Sequence, residues 1–133
     1  MKQPKVIIEN GAFEKIPQKI ADEGVVFTII TDNNLKKLGE ELLKKMRGAS
    51  LRCNMLILPA GEQTKSLTFI ERAAKSLLKL KMKRDGCLIA LGGGMIGDFT
   101  GFLASIYMRG ISYISVPTTL LAMGDSSIGG KTG

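Results

Sequence analysis

The sequence predicts an α/β protein built on a Rossmann-like, mostly parallel sheet with helices on both faces. Three observations predict it. Short apolar runs alternate with stretches of helical periodicity along the chain. The runs are apolar at nearly every position, as strands covered on both faces are, rather than at every second one. Each run then opens into a loop rich in glycine or small polar residues, and ligand sites of parallel sheets are built from such loops.

The elements follow in order. VII (6–8) is a first short strand, and a helix near residues 13–22 is interrupted by Pro17. VVFTII (25–30) is a second strand ending in Thr31 and Asp32. Leu35, Leu38, Leu42 and Met46 then recur at helical spacing, with Gly48 as the stop. CNMLILP (53–59) is a third strand closed by Pro59, and Leu67, Ile70, Ala74 and Leu77 mark the next amphipathic helix. CLIAL (87–91) is the fourth strand. A helix from about Ile96 to Tyr107 ends before Gly110, and SYISVP (112–117) is the fifth strand. TTLLAMGDSSIGGKTG follows, a composition that shapes a site more often than it ends a domain. The 133 residues therefore read as one domain, 1–133, and as a piece of something longer.

Composition narrows the function classes. With 44% apolar and 23% charged residues the chain has enough apolar content for a core, and no apolar stretch approaches the roughly 20 residues of a membrane helix. MKQPKVIIEN lacks the apolar segment of a secretion signal, so a cytoplasmic location is expected. Cys53 and Cys87 sit inside strand-like runs and read as reduced core thiols. Without histidine, a zinc site made by this chain alone is not expected. The net charge of +7 gathers in KKLGEELLKKMR and LLKLKMKR. With no tryptophan and only two tyrosines and five phenylalanines, this reads as a solvated basic surface rather than a nucleic-acid site. Attraction of small anions is a third reading.

Four loops collect the polar residues that core packing does not explain: Asp32-Asn33-Asn34, Gly61 to Lys65, Gly92-Gly93-Gly94, and Thr118-Thr119. Gly92, Gly94 and Gly97 match G-x-G-x-x-G between a strand and a helix, a pattern that lets backbone N–H groups approach a pyrophosphate. The match follows the fourth strand rather than the first, and no acidic residue lies about 20 positions on, so the ordinary dinucleotide fingerprint fails. A phosphate-cradling turn is still preferred to a purely structural one. Asp98 suits either the helix dipole or a ligand hydroxyl. By residue type, Asp32 is better read as a helix N-cap than as a ribose ligand. Glu62 and Lys65 suit a surface ion pair, and Thr118 and Thr119 a helix cap. Asp125-Ser126-Ser127 and Gly129-Gly130-Lys131 suggest a cation delivered to an anionic ligand, although the full P-loop pattern is absent.

The run GGGMIGDFTGFLASIYMRGISYISVPTTLLAMGDSSIGGKTG (92–133) closely resembles the 3-dehydroquinate synthases, NAD-dependent sugar-phosphate cyclases of the shikimate pathway. Upstream, TDNNL and LPAGEQTKS resemble the two adenosine-side loops of that family. The resemblance implies that Asp32 and Asn34 face the adenosine ribose, which reverses the capping preference, with Glu62 and Lys65 nearby on the nucleotide. It implies Gly93, Gly94 and Met95 under the pyrophosphate and Asp98 toward the nicotinamide end. Thr118, Thr119 and Leu121 would line the cofactor cleft. Asp125, Ser126 and Lys131 would sit where nicotinamide meets substrate, and Arg109 would reach the substrate phosphate across a homodimer interface. Asp125, Lys131 and Arg109 are thus the implied catalytic residues. The implied reaction converts the phosphorylated sugar acid 3-deoxy-arabino-heptulosonate 7-phosphate into 3-dehydroquinate and phosphate, with NAD as cofactor.

The family also uses a divalent metal, zinc or cobalt, held by a glutamate and two histidines of a C-terminal helical domain. This sequence contains no histidine and stops before that domain. It is accordingly expected to be the NAD-binding domain alone, inactive by itself, with neither nucleic acid nor membrane as partner. Met123-Gly124 departs from the family pattern, which keeps a sister sugar-phosphate cyclase or a related iron-dependent alcohol dehydrogenase as alternatives, and a basic nucleic-acid-binding module as a remote one.

Overall fold

The structure is a computed structural model that describes residues 5–6, 12–20 and 24–118. Among the described residues, five strands form one wholly parallel sheet: β1 (Lys5–Val6), β2 (Val26–Asp32), β3 (Arg52–Leu58), β4 (Cys87–Gly92) and β5 (Ser112–Pro117), in the spatial order β1-β5-β4-β2-β3. Four helices connect them: α1 (Ala12–Ile20), α2 (Lys36–Gly48), α3 (Leu67–Lys79) and α4 (Gly94–Ile106).

Strand side chains alternate between two cores, one on each face of the sheet. Phe27, Ile29, Cys53, Ile89, Leu91 and Ile114 pack against Ile16 and Ile20 of α1 and Leu42 and Met46 of α2. Ile30, Leu58, Leu88, Ala90 and Tyr113 pack against Ile70, Ala73 and Leu77 of α3 and Ile96, Phe99 and Leu103 of α4. Every residue of β4 is buried, so the run CLIAL lies at the centre of the molecule as its continuous apolarity predicts. Cys53 and Cys87 are buried and unbonded to one another, both paired in register with Phe27 between them. Burial pushes the Cys53 thiol up to about 12, despite the opposing pull of Arg47.

Three boundaries differ from the sequence reading. Pro17 does not break α1, because burial of Ile16 and Ile20 is worth about 1.5–3 kcal/mol each against the roughly 3 kcal/mol cost of an interior proline. α4 begins at Gly94 rather than Ile96. Gly48 does not stop α2; it is the last helical residue. The stop is a Schellman turn in which Ser50 takes the left-handed conformation, Leu51 N–H donates to Met46 C=O at 3.0 Å, and Leu51 buries itself. α3 ends the same way, with Lys81 left-handed (φ 59°) and Met82 N–H donating to Leu77 C=O at 3.0 Å. The first strand is described only over Lys5–Val6, so residues 7–8 of the expected VII run lie outside the described residues.

An exposed lysine in the left-handed region carries a penalty that glycine does not. Lys81→Gly is therefore expected to stabilise the chain by about 0.5–1 kcal/mol, read as a raised midpoint in urea unfolding.

Candidate functional site

Because the sheet is parallel, the loops after β2, β3, β4 and β5 emerge at one edge, bringing Asp32, Asn34, Glu62, Lys65, Gly93, Gly94 and Thr118 to the same end of the molecule. β2 and β4 are neighbours there, yet their chains leave in opposite directions, β2 through α2 to β3 and β4 through α4 to β5. Their helices lie on opposite faces. This is a topological switch point, where ligands of open α/β sheets bind.

The ladder records the parting. β2 pairs with β3 as far as Asp32–Leu58, and β4 with β5 as far as Gly92–Pro117, but β2 and β4 cease pairing at Ile30–Ala90. Beyond that pair the buried Thr31 hydroxyl donates to Leu91 C=O at 2.8 Å and holds the two strand ends at a side chain's distance. On the β5 side, Thr118 N–H donates to Gly92 C=O at 3.1 Å.

The glycine turn opens directly onto this gap. Gly93 is the N-cap of α4 and no side chain caps the helix. The helical ladder starts only with Gly97 N–H to Gly93 C=O at 3.0 Å, leaving the amides of Gly94, Met95 and Ile96 outside it. The three motif glycines have different causes. A Cβ on Gly92 would lie 2.9 Å from Cβ and Cγ1 of Ile96, so packing of β4 against α4 requires that glycine. A Cβ on Gly94 or on Gly97 would meet nothing within 4 Å, so no described residue explains why those positions lack side chains. The Met95 side chain packs against the α3–α4 core.

Two features flank the gap. Asp32 extends from β2 and one carboxylate oxygen, Oδ1, accepts from Asn34 N–H at 2.9 Å. It is thus an N-cap as its residue type suggests, with Oδ2 left for another donor. Lys65 pairs with Asp98 at 2.9 Å rather than with Glu62, joining the loop after β3 to the first turns of α4. The hydrogen bond from Lys65 to Asp98, then their Coulomb attraction, raises the Lys65 pKa above the ordinary lysine value, so the ammonium stays charged until strongly alkaline pH.

Two supporting residues were not among the sequence candidates. Thr64 donates to Pro59 C=O at 2.6 Å and closes the Gly61–Lys65 loop, and Ser66 caps α3 by accepting from Phe69 N–H. The second was available as a serine directly before an apolar helical run; the first depends on a loop closure that spacing does not reveal.

Arg109 is not brought to this edge. It follows α4, whose 13 residues span about 20 Å, and so sits at the opposite end of the sheet. Arg47, Arg52, Lys79, Lys81, Lys83 and Arg84 lie at that same end, near the C-terminal turns of α2 and α3, where cations complement helix dipoles. These cations are therefore remote from the gap, whereas Lys36 and Lys37, at the start of α2, lie at its end of the sheet. Thr119, Leu121, Asp125, Ser126 and Lys131 lie outside the described residues. Among the described residues no group of three His, Cys, Asp or Glu side chains is placed to hold a metal, and no helix is long and apolar enough to cross a membrane.

The family model for the N-terminal part of 3-dehydroquinate synthase matches residues 55–133. The 3-dehydroquinate synthase of Staphylococcus saprophyticus is 46% identical over 129 residues, covering 96% of this chain and 35% of that protein. The one from Acidithiobacillus ferrooxidans is 53% identical over 106 residues, covering 79% and 29%. Among solved structures, 2-epi-5-epi-valiolone synthase from Streptomyces hygroscopicus subsp. jinggangensis, with NAD+ and Zn2+ bound, superposes with a TM-score of 0.75 at 25% identity, over 100% of this chain and 37% of that one. 2-Deoxy-scyllo-inosose synthase complexed with carbaglucose-6-phosphate, NAD+ and Co2+ gives 0.77 at 25% identity, over 92% and 33%. An iron-containing alcohol dehydrogenase from Thermococcus thioreducens, at 21% identity and a TM-score of 0.63, shares the fold. The chain spans about a third of the length of the curated relatives it matches.

The contrast between the glycines is directly measurable. Gly92→Ala is expected to cost about 1–3 kcal/mol through overpacking against Ile96, whereas Gly94→Ala is expected to change stability by less than about 0.5 kcal/mol; urea unfolding of both variants checks this.

Proposed function

We propose that this chain, which belongs to the 3-dehydroquinate synthase family, supplies the NAD-binding cleft of a cytoplasmic enzyme. That enzyme converts 3-deoxy-arabino-heptulosonate 7-phosphate into 3-dehydroquinate and phosphate. The observation that carries the reading is the parting of β2 from β4 beside an uncapped helix N-terminus with open space at Gly94.

The residues present fit a dinucleotide. Gly93, Gly94 and Met95 would hold its diphosphate, since the amides outside the α4 ladder can donate to an anion and the helix dipole favours its charge. Any side chain at Gly94 would occupy the space that the diphosphate needs. Asp32 accepts an adenosine ribose hydroxyl on Oδ2 while its other oxygen keeps the Asn34 cap, so the capping and ligand roles coexist on one carboxylate. Lys65, paired with Asp98 at 2.9 Å, would supply positive charge on the nucleotide side, and Asp98 would serve the ribose toward the nicotinamide. Thr118, Thr119 and Leu121 continue the cleft on the β5 side. NAD, once bound, supplies reversible oxidation of a substrate hydroxyl; these residues bind and orient it.

Asp125, Ser126 and Lys131 serve the junction of nicotinamide and substrate in this proposal, Lys131 pairing with the anionic sugar acid. The described residues do not fit a catalytic metal, so no step is assigned to one within them. Arg109 serves the substrate phosphate of a second copy. Its place at the far end of α4 supports that assignment, as do the exposed apolar side chains of Phe102, Ile106 and Met108 beside it. A homodimer is the corresponding assembly. Identities of 46% and 53% to 3-dehydroquinate synthases favour that substrate over those of the cyclases matched at 25%.

Calorimetric titration with NAD tests the reading. The folded chain is expected to bind NAD, and Gly94→Ala to weaken binding at least about tenfold, roughly 1.4 kcal/mol, with its folding intact. Equal affinity in the two proteins, or no NAD response from the folded wild-type chain, contradicts it.

A further inference from the structure

The turn that carries Arg109 is unusual backbone. Met108 (φ 46°, ψ 42°) and Arg109 (φ 67°) are consecutive non-glycine residues in the left-handed region, followed by Gly110 at φ 109°. L-residues avoid this conformation, and runs of it persist only where the surroundings enforce them. Met108 is 41% exposed, so burial of its side chain does not enforce it.

Tyr107, directly before the tip, is held on several sides. Its ring is 4% exposed, within the α3–α4 core, and its phenol donates to the Met82 carbonyl at 2.8 Å. Met82 is itself fixed by the Schellman turn that ends α3, through Met82 N–H to Leu77 C=O. Gly110 N–H returns to Tyr107 C=O at 2.8 Å, and Ile111 N–H to Ala104 C=O at 2.8 Å. The Met108–Arg109 tip is thus pinned at its base to two helix ends. Burial raises the Tyr107 phenol above its ordinary pKa, so it remains a donor throughout the physiological range.

We infer that Tyr107 is a positioning residue for Arg109: its phenol, anchored on Met82, holds the left-handed tip that presents the guanidinium outward to a phosphoryl group bound by a second copy. This rests on the reading of Arg109 proposed above. Planar guanidinium–phosphate pairing is bidentate and direction-dependent, so a tip that samples other conformers loses affinity for the phosphorylated substrate while the distant NAD cleft is unaffected.

The test is a double-mutant cycle in the enzyme that carries this domain, with NAD affinity and melting temperature recorded for each variant. Tyr107→Phe removes the donor and keeps the ring. It is expected to raise KM for the phosphorylated substrate about tenfold with kcat changed less than about twofold, and to leave NAD affinity unchanged. In an Arg109→Ala background it is expected to add nothing, the two sites acting as one unit. Met108→Pro gives a second route, since proline forbids the left-handed tip while the extended Tyr107 backbone (ψ 121°) accepts a following proline. It is expected to reproduce the KM effect with the tether intact. A KM effect of Tyr107→Phe that persists undiminished without Arg109, or no KM effect from Tyr107→Phe or from Met108→Pro, overturns the positioning role. If Arg109→Ala itself leaves KM unchanged, the fault lies in the Arg109 assignment, and NAD binding by the wild-type chain tells whether the cleft reading survives.

Discussion

Two neighbouring strands that part at one end are the constraint on which the rest depends. Once β2 and β4 are adjacent in a parallel sheet and their connections turn opposite ways, α2 and α4 go to opposite faces and, among the described residues, no helix lies over the seam between the strand ends. Backbone groups there must find partners without a ladder. Thr31 satisfies one by spanning the seam, Thr118 satisfies Gly92, and the first amides of α4 lie outside its ladder with no side-chain cap. A site that gathers unpaired donors at a helix N-terminus favours an anion before any side chain is considered.

The two ends of the sheet divide the work. At one, small residues accompany a near balance of Asp32, Glu62 and Asp98 against Lys36, Lys37 and Lys65. At the other, the cations follow helix C-termini and the turns are closed by Schellman bonds through Ser50 and Lys81. α4 connects them. Its N-terminus offers amides to the cleft, its buried face with Phe99 and Leu103 fixes its direction, and its C-terminal turn carries Arg109 about 20 Å away. One helix thereby links the two ends of the sheet.

Much of this was legible in the sequence, because it rests on local rules. The five apolar runs and the helical spacing of Leu38, Leu42 and Met46 or of Ile70 and Leu77 gave the order of elements, since buried strands and amphipathic helices write their period into the chain. The four-loop edge followed once the sheet was read as parallel. What was not legible depends on distant partners. Lys65 was matched to Glu62, three residues away, but finds Asp98, 33 positions on, because the loop after β3 meets α4 only in the fold. Gly48 looked like a stop, yet the left-handed position fell two residues later on Ser50, where a buried Leu51 fixes the turn. Gly92 and Gly94 looked alike; only packing separates the glycine that Ile96 demands from the one that faces open space.

The central claim is that the seam between β2 and β4 receives the diphosphate of a dinucleotide. Amide chemical-shift mapping during an NAD titration tests it most directly, because it reports every described position at once. The account predicts shifts at Gly93, Gly94, Met95, Asp32 and Lys65, with the opposite edge around Arg52, Lys83 and Arg84 silent. Shifts confined to that basic edge, with the glycine turn unmoved, would contradict it.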